Sequence, residues 1–138
     1  IVGIDAGRAH LTTTVSDLCG TTLVREHLLL DPDDDEPGVR RAAAASALDS
    51  ALDAAGLRRA EVVALCVGVP APVDSAGRSP AHRDDFWLRM NPGFADEFAD
   101  SIALVRVEND AYLAAAAERM SGAAAGCDDF VTTDRTVD

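Results

Sequence analysis

The sequence contains no lysine, so its 12 basic residues are all arginines, and against 24 acidic residues they leave a formal net charge of −12. The adjacent basic pairs are Arg40–Arg41 and Arg58–Arg59. Both lie in or beside a helical pattern, where we interpret them as solvated surface. Binding to a nucleic-acid backbone requires a clustered positive surface. The charge balance therefore argues against nucleic-acid binding by this chain.

Long apolar runs and an apolar leader are also missing. No run approaches the roughly 20 residues that a membrane-spanning helix requires. Asp5 and Arg8 interrupt the early apolar stretch that a signal peptide would need. We therefore expect a cytoplasmic protein with no membrane partner.

Cysteine and histidine are scarce and scattered. The residues concerned are Cys19, Cys66, Cys127, His10, His27 and His82. An odd number of distant cysteines predicts neither a disulfide framework nor a CxxC metal site. The histidines have no partners at metal-ligand spacing. We expect reduced thiols, ordinary surface or turn histidines, and no metal site in this chain.

What remains is the pattern of one α/β domain spanning residues 1–138, a length that suits a single core. Alternating apolar residues and the turn signals AG and DLCG predict a meander of three antiparallel strands within residues 1–30. Leu23, Leu28 and Leu30 are expected to face inward from the third strand.

A long helix is predicted over about residues 39–57, with Leu48 and Leu52 on its inner face. The acidic segment 31–38 before it lacks the ligand spacing of an EF-hand, which favours a solvated helix start over a calcium loop. The apolar run 62–69 then predicts a central strand buried on both faces.

In the second half, PGFADEFAD predicts a short helix, IALVRV a strand, residues 111–124 an alanine-rich helix, and DDFVTT a further strand. The proline-broken stretch 70–93 is expected to be a long loop, and such loops are usually functional or mobile. Trp87 and Phe86 in this stretch either cover the site or pack into the core or an interface.

Two short segments are expected at the edge of the mixed sheet where ligands bind, beyond the carboxyl ends of parallel strands. They are residues 70–77 and the polar triplet Glu108, Asn109 and Asp110 within VENDAYLAAAAE. The triplet has a simpler interpretation as well, because Asn or Asp before a helix commonly serves as its N-cap.

Three motifs in order resemble the ROK family of bacterial sugar kinases and sugar-responsive repressors. VGVPAPVDSAG is similar to the family's G-x-P-G-P-V-D loop, VENDAYLAAAAE to its N-D-A-N-x-A-A-x-x-E motif, and GIDAGRAHLTTTVSDLCGTTL to its D-x-G-G-T-K strand-turn-strand. The resemblance covers nearly the whole chain. It implies an actin-like, ribonuclease-H-like lobe, an α/β fold with a mixed sheet, an antiparallel meander and helices covering its faces.

The resemblance also implies site residues. Asp110 corresponds to the general base of the family kinases, and Asn109 to the residue that binds neighbouring sugar hydroxyls. A carboxylate can accept a hydroxyl proton, and an amide can donate and accept across vicinal hydroxyls. Ala71, Pro72 and Val73 would lie against the sugar, with alanine at Ala71 where the family has glycine.

The phosphate motif departs from the family pattern. Asp5 and Gly7 match its magnesium and phosphate positions, but Arg8, Ala9 and His10 stand where the kinases have glycine, threonine and lysine. The family's second glycine-rich loop, zinc motif and second lobe, and the DNA-binding domain of its repressors, are expected outside this chain.

Three functions follow as hypotheses. The first is the sugar-sensing effector lobe of a dimeric transcriptional regulator, which binds a sugar without phosphorylating it and DNA only through a separate domain. The second is an ATP- and magnesium-dependent sugar kinase, with Asp110 as base. The third is a dimerisation module without a ligand.

Overall fold

The computed structural model describes residues 1–33, 36–81, 83 and 85–132, which form a five-stranded sheet with helices on both faces. The strands are β1 (Val2–Asp5), β2 (His10–Ser16), β3 (Thr22–Leu29), β4 (Leu65–Val69) and β5 (Val105–Asn109). The helices are α1 (Pro37–Ala55), α2 (Phe86–Met90), α3 (Phe94–Phe98) and α4 (Asp110–Ser121), and a 3-10 turn spans Arg59–Glu61.

The sheet has the strand order β3-β2-β1-β4-β5. β1, β2 and β3 pair antiparallel, as the meander prediction requires, whereas β4 runs parallel to both β1 and β5. The prediction of β4 as the central strand is wrong, because β1 holds that place. β2 pairs with one edge of β1, so the chain that returns through α1 adds β4 to the other edge of β1. β4 is then interior because β5 pairs with its outer edge.

The core lies on the face of the sheet that α1 covers. The residues of β1, β2 and β4 that point to this face are nearly inaccessible, and Leu48 and Leu52 of α1 pack on them, as predicted. Phe94 and Phe98 of α3 are both fully buried at the same side. Burial of large apolar side chains of this kind stabilises a domain by roughly 2 kcal/mol each. This face therefore carries most of the fold's stability.

The prediction that Leu23 of β3 faces inward is wrong. Register pairs Val15 with Val24 and Leu11 with Leu28 on the core face, so Leu23 points to the opposite face and is 52% exposed. Strand alternation places only every second residue inward. Leu28, which the spacing placed correctly, is still 42% exposed because β3 is an edge strand.

Two predictions in the second half of the chain are wrong. The expected loop 70–93 contains the helix α2, because Phe86, Trp87 and Met90 pack against the core and order that segment. The described part of DDFVTT, residues 128–132, forms no strand, because this segment runs along a groove instead of an edge of the sheet. The prediction for residues beyond 132 lies outside the described residues.

The parallel strands end together at one edge. Asp5 of β1, Gly68 of β4 and Glu108 of β5 are in register across it. Residues 108–110 were expected to form a loop at this edge. In the described chain they do not, because β5 extends to Asn109 and α4 begins directly at Asp110. In the described parts of the chain, no helix is long and apolar enough to cross a membrane.

Candidate functional site

An open groove of about 1210 Å³ lies on the face of the sheet opposite the core. Its floor is formed by small residues of β1 and β4, including Gly3 and Gly68, and its walls by α4 and by part of the segment 123–132. Among the described residues, α4 contributes no buried side chain, so this face is covered loosely. Loose cover over a small-residue floor leaves room for a ligand.

Asn109 joins the two segments predicted to hold the sugar. Its Oδ1 accepts the amide of Tyr112 at 3.0 Å and so caps α4, while its Nδ2 donates to the carbonyl of Ala71 at 3.2 Å. Asn109 can therefore act as a helix N-cap and still take part in ligand binding. An amide has two N–H donors and two lone pairs, so one of each is still available to a hydroxyl ligand.

Asp110 and Asp5 line the same groove. They are brought together by Gly68, which is the parallel partner of Asp5 in the sheet and passes directly beneath the start of α4. A Cβ on Gly68 would lie 3.9 Å from Asp110 Cα and 3.1 Å from Leu113 Cδ1. Glycine at this position thus permits a close approach of helix and strand that sets the two carboxylates on one groove.

Gly7 and its turn lie at the end of this groove beneath His10. The His10 Nε2 is 3.1 Å from Asp5 Oδ2, and the ring lies so close over Gly7 that a methyl group there would overlap it. The ring also stacks on His27 at 5.4 Å between centroids. His10, interpreted from sequence as an ordinary turn residue, is therefore part of the site.

Arg40 holds the same turn from the core side. Its guanidinium donates to the carbonyl of Ala6 at 3.0 Å, to that of Arg8 at 3.3 Å and to that of Gly7. The residue is 8% exposed, so the interpretation of Arg40 as solvated surface is wrong. The signal was its spacing, because Arg40 precedes Ala44 and Leu48 by one and two helical turns on the inner face of α1.

The loop after β4 is held by local hydrogen bonds. Asp74 Oδ1 accepts the amides of Arg78 and Ala76, each at 2.9 Å, and these hydrogen bonds, chiefly that from Arg78, lower the pKa of the Asp74 carboxyl. Asn91, which the sequence did not single out, is buried and donates to the carbonyl of Gly77 at 3.0 Å. These hydrogen bonds hold residues 74–78 of the loop.

In the described part of the chain the groove that Asp5 and Asp110 line does not include Asn109, Ala71, Pro72 or Val73. Ala71 is instead held by its hydrogen bond with Asn109. Pro72 is exposed and Val73 is half-buried against the core. The structure thus brings together Asp5, Gly7 and Asp110, ties Ala71 to Asn109, and leaves the two other loop residues to one side.

Cys66 lies on the floor of the groove, and its burial raises the pKa of the thiol. Across the residues described, no group of three or more histidine, cysteine, aspartate or glutamate side chains is placed to hold a metal ion. The groove is lined by the carboxylates of Asp5, Asp110 and Glu118, and one or two of them could contribute ligands to a magnesium ion carried by a nucleotide, since Mg²⁺ takes one or two carboxylates plus phosphate oxygens.

The strand order, the meander and the groove on the face of the sheet opposite the core define an actin-like, ribonuclease-H-like lobe. Over residues 1–134 the sequence matches the ROK family. The chain belongs to that family.

Two solved structures show the likeness in three dimensions. One is a ROK family glucokinase from Streptomyces griseus in complex with glucose and AMPPNP, with a TM-score of 0.69 and 27% identity over 93% of this chain and 38% of that chain. The other is the Lmo2764 protein of Listeria monocytogenes, a candidate N-acetylmannosamine kinase, with a TM-score of 0.65 and 19% identity over 94% of this chain and 41% of that one. This chain spans less than half of either structure, and at 19% identity the second likeness concerns the fold alone. No curated protein sequence shows significant similarity to the chain.

Proposed function

We propose that this lobe binds a sugar at Asn109 and Asp110 without phosphorylating it, as the effector-sensing part of a transcriptional regulator. The DNA-binding part would lie outside this chain. The observation that carries the proposal is the position of His10: it is 3.1 Å from the carboxylate that would serve magnesium and covers the glycine that nucleotide phosphates would approach.

Of the two proposed sugar residues, Asp110 lines the groove, and Asn109 directly precedes it in the chain as the last residue of β5. The Asp110 Oδ1 accepts the amide of Ala111 at 2.7 Å, which fixes the carboxylate at the start of α4. Asn109 ties this helix start to the loop after β4. A preorganised carboxylate beside a preorganised amide can bind vicinal hydroxyls with little loss of side-chain entropy.

A sugar kinase is the second candidate, favoured by one observation. Asp5 and Asp110 line one groove, which supports roles for them as magnesium ligand and base. If His10 can leave Asp5 when a nucleotide binds, these two carboxylates supply the groups that phosphoryl transfer requires.

Calorimetric titration of the full-length protein with glucose, N-acetylmannosamine and their 6-phosphates tests the proposal. We expect saturable binding of at least one, weakened about tenfold or more by Asp110→Asn, since a hydrogen bond to a charged group contributes that much. Asp96→Asn, at an exposed residue of α3 outside the groove, is the matched control and should leave the affinity unchanged.

A coupled assay for ADP separates the two candidates. Sugar-dependent ADP formation that is abolished by Asp110→Asn identifies a kinase and contradicts the sensing proposal. Absence of heat with every sugar, together with operator binding that ignores them all, would instead leave a ligand-free dimerisation module.

A further inference from the structure

We infer that a second cavity, between α1 and the edge strand β3, binds the ammonium group of a small aliphatic amine, with Glu26 as its counter-ion and Thr13 as a hydrogen-bond partner. This cavity opens on the face of the sheet that α1 covers, opposite the groove. The inference therefore goes beyond the proposed sugar binding and does not depend on it.

Two cross-strand pairs form the floor of the cavity. Thr13 of β2 lies directly opposite Glu26 of β3, and Leu11 lies opposite Leu28. Directly opposed residues on one face of an antiparallel pair have their Cβ atoms about 5 Å apart. A hydroxyl, a carboxylate and two apolar side chains are thus adjacent on this floor.

Short side chains of α1 leave the space above the floor unfilled. Ser46 and Ser50 are one helical turn apart, and with Ala47 they line the cavity from above. The enclosed volume is about 370 Å³. Sites for small molecules have volumes of roughly 300–1,000 Å³, so this space suits a ligand of a few heavy atoms.

Thr13 carries the unpartnered polar group of this cavity. The residue is 1% exposed, and its Oγ1 is buried with no hydrogen-bond partner among the described residues. Buried hydroxyls are nearly always hydrogen-bonded, because burial without a partner costs free energy. The hydroxyl of Thr13 therefore indicates a polar occupant of the cavity that it lines.

Glu26 determines the charge of that occupant. Its side chain is half-buried, and within the described chain no basic group lies at ion-pair distance from it. His27 also borders the cavity, but strand alternation places its ring on the other face of the sheet, where Nδ1 is 3.0 Å from Thr12 Oγ1. The residues described around the cavity thus offer one carboxylate and no cationic side chain, which favours a cation.

The available donors and walls favour an ammonium group over a metal ion. Ca²⁺ takes about six to eight oxygen ligands, usually including several carboxylates, and no metal-binding group of three or more acidic, histidine or cysteine side chains occurs in the described chain. An ammonium group has only three N–H donors. Glu26, Thr13 and one of the two serines of α1 supply three acceptors, and the alkyl chain would lie against Leu11 and Leu28.

Titration of the full-length protein with butylammonium chloride, followed by amide resonances, tests the inference. Sodium chloride at the same ionic strength controls for charge screening, and 1-butanol controls for apolar contact. We expect saturable shifts at Thr13 and Glu26 with butylammonium, no such shifts with sodium chloride, and affinity for 1-butanol weaker by about tenfold or more. Equal affinity for 1-butanol, or shifts confined to Asp5 and Asp110 in the groove, would overturn the inference.

A pair of carboxylate variants tests the counter-ion. Glu26→Gln keeps the shape of the side chain but removes its charge, and it should weaken butylammonium binding about tenfold or more. Asp53→Asn, at an exposed residue of α1 outside the cavity, is the matched control and should change the affinity less than about twofold. Equal weakening in the two variants would indicate unspecific attraction to a negative surface and contradict the inference.

Thr13→Val distinguishes an amine site from a cavity that holds water only. Removal of the unpartnered hydroxyl should raise the urea midpoint of the free protein and weaken butylammonium binding about fivefold. An unchanged affinity, with a lower midpoint because water alone had satisfied the hydroxyl, would refute the amine site. Sugar titration reports on Asp110 on the other face of the sheet, so failure of one proposal does not imply failure of the other.

Discussion

Substituting Asn109 separates its capping role from its role between the two site segments. The side chain makes one hydrogen bond of each kind, at 3.0 Å to the amide of Tyr112 and at 3.2 Å to the carbonyl of Ala71. Loss of an N-cap costs about 1 kcal/mol, and loss of a donor to a buried carbonyl costs about another 1 kcal/mol. Asn109→Ala should therefore lower the free energy of unfolding by about 2 kcal/mol.

Asn109→Ser is the matched variant, because a serine hydroxyl can still cap α4 but is too short to reach Ala71. It should cost about 1 kcal/mol, half of the alanine value. Urea unfolding followed by circular dichroism measures both changes, provided that the slope of the unfolding free energy with urea stays constant. Sugar affinity should fall in both variants, since each releases the loop after β4 from α4.

Equal stability losses in the serine and alanine variants would refute the division into two roles. A serine variant as stable as the unmodified protein would show that the hydrogen bond to Ala71 contributes nothing. Either outcome would leave Asn109 as a helix cap or as a loop anchor alone.

Three further predictions concern the groove and its loop. Gly68→Ala should lower the free energy of unfolding in urea by about 1 kcal/mol, because its Cβ would lie 3.1 Å from a side chain of α4. Gly3→Ala is the control and should be neutral, because no atom lies within 4 Å of its Cβ. Equal effects would contradict the close approach of α4 to Gly68. The depressed pKa of Asp74 means that its turn is stabilised above an unfolded-state pKa of about 3.9 and loosens as the pH falls through the lower folded-state value. Amide exchange in the turn should show this loosening, and Asp74→Asn should abolish the dependence. The raised pKa of Cys66 predicts slower alkylation by iodoacetamide than at exposed Cys19; equal rates would exclude the effect of burial.

Local sequence patterns predicted the strands and helix ends that are determined by neighbouring residues. The meander follows from period-two alternation and turn residues, and the start of α4 from capping chemistry near Asn109. The family resemblance added the fold, which the structural likeness confirms. The functional roles of Asn109 and Asp110 stay predictions.

Features that depend on distant partners were not predictable in this way. Arg40 donates to carbonyls more than thirty positions earlier in the chain, and no short window shows that need. His10 required the fold of the turn to reveal its contact with Asp5. The strand expected at residues 128–132 does not form, because this segment lies along the groove and not beside an edge strand, and β-propensity depends on such a pairing context.

The unequal cover of the two sheet faces has an evolutionary consequence. The large apolar side chains that hold the lobe together lie beneath α1, whereas the groove face is built from glycine, threonine and ionisable groups with no buried helix residue above them. Replacements in the groove therefore carry a small folding penalty. A lobe divided in this way can exchange one ligand chemistry for another, or give up phosphoryl transfer and retain recognition, while its architecture persists unchanged.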